Sequence, residues 1–426
     1  MDPLATPELA AATPPPPEPV DQPPDLSLTP RQWVRHNLFA SRAGSVLTVV
    51  FAVLGLYLAY RLAWFALVSA DWEIVRRNMR LFMIGTYPAD EAWRLWAALY
   101  VVVGLAGLFS AASAANRDDQ ARAAGREVER PGRWDWLPRY WPALIALVVL
   151  LSSTRTWTPT LLTLLGAAIL VVGRRAGRHA PALSRFGWQT LLIGDVVVLQ
   201  LVAGPGGAGW KTWGGLLLTL FVCLAGIQLS FPLGVVVALG RRSSLPALRV
   251  VTVGFIELVR GVPLVALLFL GHYVIPLFFP NTIEPPSPLA RALIVITLFE
   301  SAYVAETMRG GLQSIPRGQY EAALALGLKP RKVTRLIVLP QALRAVIPAM
   351  VGQFISLFKD TTLLQIIGFT ELLEVAENVT SQEDFLGQRL QTVTFAFVAL
   401  IFWAGSYTMS RESRRLERRL GIGVRP

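Results

Sequence analysis

Cysteine occurs once in this 426-residue chain, as Cys223, and histidine three times, as His36, His179 and His272. A lone thiol excludes an intrachain disulfide, and three scattered histidines lack the spacing of a metal-ligand set. No Cys-x-x-Cys, no Ser/His/Asp set and no paired catalytic carboxylates are visible, which leaves an integral-membrane enzyme without support. Charge is scarce as well, at 16% of residues against about 25% in a soluble domain. No basic residue precedes Arg31, whereas Asp2, Glu8, Glu18, Asp21 and Asp25 stand among many prolines. Residues 1–30 therefore read as a disordered Pro-rich tail with no cleavable leader.

A phosphate-binding loop is also missing, although GPGGAGWKT at Gly204–Thr212 approaches one. In the nucleotide-cradling pattern the lysine directly follows the last glycine, and here Trp210 separates Gly209 from Lys211. The indole occupies the place where backbone must approach phosphate. The stretch reads as a turn between two spans, with Trp210 and Lys211 as interface anchors.

Apolar sequence is abundant, at 53% of residues. Crossing a bilayer as a helix takes about 20 apolar residues, and candidate spans fall at about 45–68, 95–115, 140–153, 158–173, 188–203, 213–239, 248–278, 288–308, 345–365 and 390–409. The expected fold class is an all-α integral membrane protein of about ten helices. The net charge of +12 is then read as loop charge rather than as a nucleic-acid surface. Basic residues gather in alternate loops: Arg117, Arg122, Arg126, Arg130, Arg133 and Arg139; Arg174, Arg175, Arg178 and Arg185; Arg241, Arg242 and Arg249; and seven more within 309–344. The loop after 365 instead carries Glu371, Glu374, Glu377, Glu383 and Asp384. By the positive-inside rule both termini face the cytoplasm.

Between the spans ending near Met308 and starting near Ala345 lies RGGLQSIPRGQYEAALALGLKPRKVTRLIVLPQALRA. Its local chemistry predicts two short helices at an angle: Ser314 as a cap, Pro316 in an initial turn, Gly327 as a left-handed stop and Pro330 starting the second. Tyr320, Ala323, Leu324 and Gly327 fall on one side, an expected small-residue patch for a partner's groove. The loop is too small for a helical DNA-binding core, so no nucleic acid is expected as a partner.

The same loop resembles the E-A-A-x3-G-x9-I-x-L-P motif of the membrane subunits of ABC importers, through Glu321, Ala322, Ala323, Gly327, Ile337, Leu339 and Pro340. FPLGVVVALGRRS, ELVRGVPL, YVAETMRGGLQSIPRGQYEAA and LFKDTTLLQIIG, in that order, resemble the polar amino acid permease branch over about residues 213–426. The added spans before them resemble the general L-amino acid permease subunits. The resemblance implies a division into a tail (1–30), an N-terminal membrane extension of about five helices (31–205) and a five-helix permease core (206–426) with a coupling loop at 309–344. It further implies a multi-pass protein of the bacterial inner membrane that imports polar amino acids by alternating access. The loop would dock on an ABC ATPase subunit dimer that binds ATP and Mg, this chain carrying no cofactor of its own. A second permease subunit, either a different chain or another copy of this one, membrane lipid and an extracytoplasmic amino acid-binding protein are the other expected partners. An ion-coupled secondary amino acid transporter is the alternative, but it calls for related halves, and no internal repeat is visible.

Charged side chains inside spans cost about 2.5–3.5 kcal/mol each at the helix centre on insertion scales, so those retained point to function. Glu257 and Arg260, three residues apart on one helical face, are expected to neutralise each other near mid-span. Glu300, Glu306, Lys359 and Asp360 lie on other core spans. An amino acid zwitterion needs a partner for its carboxylate and one for its ammonium, and Glu257, Arg260, Glu300, Lys359 and Asp360 are the substrate-pathway candidates.

Overall fold

The computed structural model describes residues 29–125, 144–145, 147–148, 157–204, 212–280, 282–386 and 390–419. Sequence expectations for residues 1–28, for most of the 140–153 span and for 205–211 lie outside the described residues. Among the described residues all regular structure is helical, as the apolar runs require: without water, a backbone must satisfy its own hydrogen bonds.

The chain divides into two compact units, one up to Ala70 and one from Asp71 onward. In the first, α1 (Pro30–Leu38) opens on a reciprocal cap between Thr29 and Gln32, and α2 (Arg42–Trp64) is an apolar helix capped by Ser41. The Thr48 hydroxyl donates to the Leu38 carbonyl at 2.7 Å, tying the two together.

The second unit begins with the short helices α3 (Glu73–Arg77) and α4 (Met79–Ile84). Next come α5 (Ala92–Ala123), α6 (Thr158–Arg178) and α7 (Gly187–Ala203). Helix α5 packs tightly against α6 because Gly173 and Gly177, four residues apart, face it. A Cβ at Gly177 would stand 2.0 Å from the Leu108 carbonyl oxygen, so only bare backbone lets the helices meet.

The remaining helices are α8 (Gly215–Arg241), α9 (Pro246–Gly261), α10 (Leu264–Phe269, continuing as helix to Phe278), α11 (Pro288–Gln313), α12 (Arg317–Ala325), α13 (Pro330–Val333), α14 (Leu339–Asp360), α15 (Leu372–Asn378) and α16 (Gln391–Arg419). Helices α8, α11 and α14 form the centre, and α16 closes against α14 through Phe358 and Phe402, ring centroids 4.9 Å apart.

The expected single span at 248–278 is broken. Helices α9 and α10 meet at 105°, because Pro263 has no N–H to continue the ladder and forces Val262 into extended backbone at φ −107°, ψ 134°. Conversely, the expected short second helix of the loop does not stand alone. Residues Pro330–Ile367 form one continuous helical segment, running through a wide turn at Thr334–Val338 into α14. Among the described residues seven helices are long and apolar enough to cross a membrane, and eight if the bent pair counts as one span. Helix α7, at 17 residues, falls just short.

At the end of the bundle opposite the α11–α12 connection, the segment after Asp71 is sewn to the core. Phe82 packs edge-on against Phe397, the Gln382 amide donates to Asn78 at 2.8 Å, and the Tyr87 hydroxyl donates to the Val202 carbonyl at 3.0 Å. The N-terminal spans after residue 70 therefore share one packed unit with the C-terminal ones.

Candidate functional site

The loop between α11 and α14 is an elbow with a defined stop. Helix α12 ends in a left-handed residue, Gly327 at φ 78°, with the Gly327 N–H donating to the Leu324 carbonyl (2.8 Å) and the Leu328 N–H to the Ala323 carbonyl (3.2 Å). Those paired bonds satisfy carbonyls that the helix end would otherwise leave open. A Cβ at Gly327 would meet nothing within 4 Å, so the backbone angle, not space, demands glycine. Pro330 starts the next helix, as its locked φ suits a first turn. Ser314 does not cap α12: its hydroxyl donates back to the Gly311 carbonyl at 2.9 Å, and Pro316 occupies the capping position without a side-chain bond.

The expected small-residue patch also changes. Ala323 is only 2% exposed and faces inward, where it packs with Met308, Leu312, Val333, Val338, Ala342 and Val346. The outward surface consists of Tyr320, Glu321, Ala322, Leu324, Gly327 and, most of all, Leu326 at 82% exposure. Leu326 stands at an unspecified motif position, and an apolar residue in a helix-terminal position was its only signal. Ile337 and Leu339 are half-buried and Pro340 is exposed. Burying a large apolar side chain stabilises by about 1.5–3 kcal/mol, and several such residues lock the elbow to α11 and α14.

Charged side chains cluster behind the elbow. The Glu306 carboxylate on α11 accepts from Arg241 of α8 at 3.0 Å and from Nε of Arg309 at 2.8 Å, and lies 3.7 Å from Arg260 of α9. The Arg260 guanidinium also stands over the Tyr303 ring, 5.2 Å from its centroid. The expected Glu257–Arg260 pair does not form. Glu257 is exposed on α9, and Arg260 turns toward α11 because the helix ends one residue later and frees it to do so. Both residues lie just before the bend that breaks the expected span. Each partly exposed ion pair is worth on the order of 1 kcal/mol, but one carboxylate serving three guanidiniums makes the set interdependent.

Glu300 lies elsewhere, 1% exposed on α11, with Gln353 and Asp360 of α14 near its carboxyl. Lys359 is exposed beside Asp360, which is half-buried at the end of α14. The five candidates thus fall into two sets: Glu300, Lys359 and Asp360 together, and Glu257 and Arg260 at the bend. Among the described residues no group of three His, Cys, Asp or Glu side chains is placed to hold a metal ion.

An elbow between spans, seated on a bundle whose second helix is broken, agrees with a family match. The family described as binding-protein-dependent transport system inner membrane component matches residues 230–422. The inner membrane amino-acid ABC transporter permease protein YhdY of Escherichia coli strain K12 is 34% identical over 409 residues, covering 92% of this chain and 94% of that protein. The chain belongs to this permease family. The glutamate/glutamine/aspartate/asparagine transport system permease protein BztC of Rhodobacter capsulatus is 33% identical over 91% of this chain and 93% of its own. By contrast the glutamate/aspartate import permease protein GltK of Escherichia coli O6:H1 covers 43% of this chain and 82% of itself, at 32% identity. The long N-terminal region is therefore shared with YhdY and BztC. Members of the family are the transport subunits of ABC importers, in which a separate ATPase hydrolyses ATP. The ion-coupled alternative has no support among these relatives.

Proposed function

We propose that this chain is the permease subunit of an importer for polar L-amino acids, with its elbow as the seat of an ABC ATPase dimer that binds ATP and Mg. The observation that carries this reading is the continuous helical segment Pro330–Ile367, which bears Ile337, Leu339 and Pro340 of the motif at one end and Lys359 and Asp360 at the other. A push on the elbow reaches Lys359 and Asp360 along one element. Glu321, Ala322 and Gly327 face outward as docking positions, while Ala323 anchors the elbow from inside.

In this reading the elbow end and both termini are cytoplasmic, as the basic loops favour. Glu300 and Asp360 offer carboxylates to the substrate ammonium, and Lys359 offers a cation to its carboxylate. A second permease subunit completes the pathway, and an extracytoplasmic amino acid-binding protein delivers the ligand to the face bearing α3, α4 and α15. The relatives named for amino acid transport favour this class of substrate.

Reconstitution of the full complex in proteoliposomes tests the proposal, with uptake of one labelled amino acid competed against a panel. ATP-dependent uptake that needs the binding protein is expected. Uptake driven by an ion gradient without ATP, or purification of the chain without any ATPase, would overturn it.

A further inference from the structure

Resting on that transport reading, we infer that Glu306 is the positioning residue that carries displacement of the elbow to the bend in the second core span. Glu306 lies seven residues before Gln313, where α11 gives way to the elbow. Arg309, bound to Glu306, also donates to the Gln313 side chain at 2.8 Å, and Arg242, next to Arg241, donates to the Leu312 carbonyl at 3.3 Å. The carboxylate is thus tied on one side to the last turn of α11, whose Leu312 shares one buried cluster with Ala323 and Val333 of the elbow.

On the other side it reaches Arg260, one residue before the helix ends and the chain turns through 105°. Arg260 touches α11 twice, over the Tyr303 ring and beside Glu306, which are three residues apart on one helical face. The place where the span bends is therefore registered against the helix that enters the elbow. The three contacts are unequal. Arg241 and Arg309 bind within hydrogen-bond distance, whereas Arg260 stands at 3.7 Å with 39% of its side chain exposed. Arg260 is the arm free to change its hold while the other two keep Glu306 in place.

With one carboxylate among three guanidiniums, the arrangement also depends on charge. Neutralising Glu306 leaves three cations facing one another, and Arg260, the least held, is the one released. Shortening it to aspartate keeps the charge but loses reach to one of the arginines. A passive staple and a coupling link differ in what they change: a staple governs assembly, a link governs how many substrate molecules move per ATP.

The test uses the complete complex in proteoliposomes with Glu306→Gln, Glu306→Asp, Arg260→Gln and the Glu306→Gln/Arg260→Gln double variant. Assembly, ligand-stimulated ATP hydrolysis and uptake are measured on each. Glu306→Gln is expected to assemble and hydrolyse ATP within about twofold of wild type while transport per ATP falls at least tenfold. Glu306→Asp should recover part of that ratio, Arg260→Gln should lower it as well, and the double variant should be no worse than Glu306→Gln, because both act on one contact. A wild-type ratio in Glu306→Gln overturns the inference. So does parallel loss of assembly in all variants, including Arg260→Gln, which leaves the other two contacts of Glu306 intact. A wild-type complex without ATP-driven uptake would instead count against the transport reading itself.

Discussion

Arg260 pairs with Glu306 on the neighbouring helix, at 3.7 Å, and not with Glu257 one turn back on its own. The helix that holds both ends at Gly261, so Arg260 leans across the break while Glu257 remains on the exposed side.

Glu257 and Arg260 should therefore behave as independent sites for stability. Glu257→Gln is expected to leave the melting midpoint of the purified complex within about 1 °C. Arg260→Met, which loses an ion pair and a cation–π contact worth about 1–2 kcal/mol, should lower it by roughly 2–4 °C. The double variant should equal the sum; a double more stable than Arg260→Met alone would mean that the two residues interact.

At Gly327 only the backbone angle is at stake. A left-handed conformation costs an L-residue roughly 1–2 kcal/mol, with β-branched side chains worst and asparagine tolerated. Gly327→Asn should retain ligand-stimulated ATP hydrolysis and uptake close to wild type, whereas Gly327→Val should lower both by weakening ATPase docking. Equal activity of the two variants would show that the elbow does not need this turn.

Glu371, outside the spans, caps α15 with Oε1 accepting from the Leu373 and Glu374 N–H groups, both at 2.9 Å, and is fully buried. Burial pushes its carboxyl up from 4.5 to about 7, against the pull of the backbone donors. The folded state then holds the proton more tightly than the unfolded chain, so this contribution is complete below about pH 4.5 and is lost as pH rises through about 7. The upper bound is roughly 3 kcal/mol. Thermal melts of wild type should fall from pH 5 to 8, and Glu371→Gln should flatten that slope. A slope that survives the substitution assigns the pH dependence to other groups.

Glu300→Gln keeps the size of the buried side chain but replaces its carboxyl with an amide. Normal assembly with at least tenfold lower uptake is expected if the carboxylate receives the substrate ammonium. Unchanged uptake would remove Glu300 from the pathway.

The membrane class, the helical backbone and the elbow were legible in the sequence because each rests on local chemistry. Apolar runs must be helical where no water can satisfy the backbone, and the Gly327 stop and the Pro330 start act over a few residues. The inward turn of Ala323 was not legible, since helical periodicity groups residues on a face without saying which face meets the bundle.

By itself, then, the sequence determined what is local: a helical membrane chain, a basic loop with a fixed turn, and a motif spaced along it. The tertiary structure alone decided what depends on distant partners. Arg241 and Glu306 are 65 residues apart and meet only because α8 and α11 pack side by side. The Glu257–Arg260 spacing favoured a pair that the break at Pro263 gave Arg260 freedom to abandon. Gln382 and Asn78, 304 positions apart, form one of the contacts that join the segment after Asp71 to the core, and no spacing rule foretells it. Charges and amides choose partners by proximity in space, and spacing along a chain constrains that proximity only within a helical turn or two.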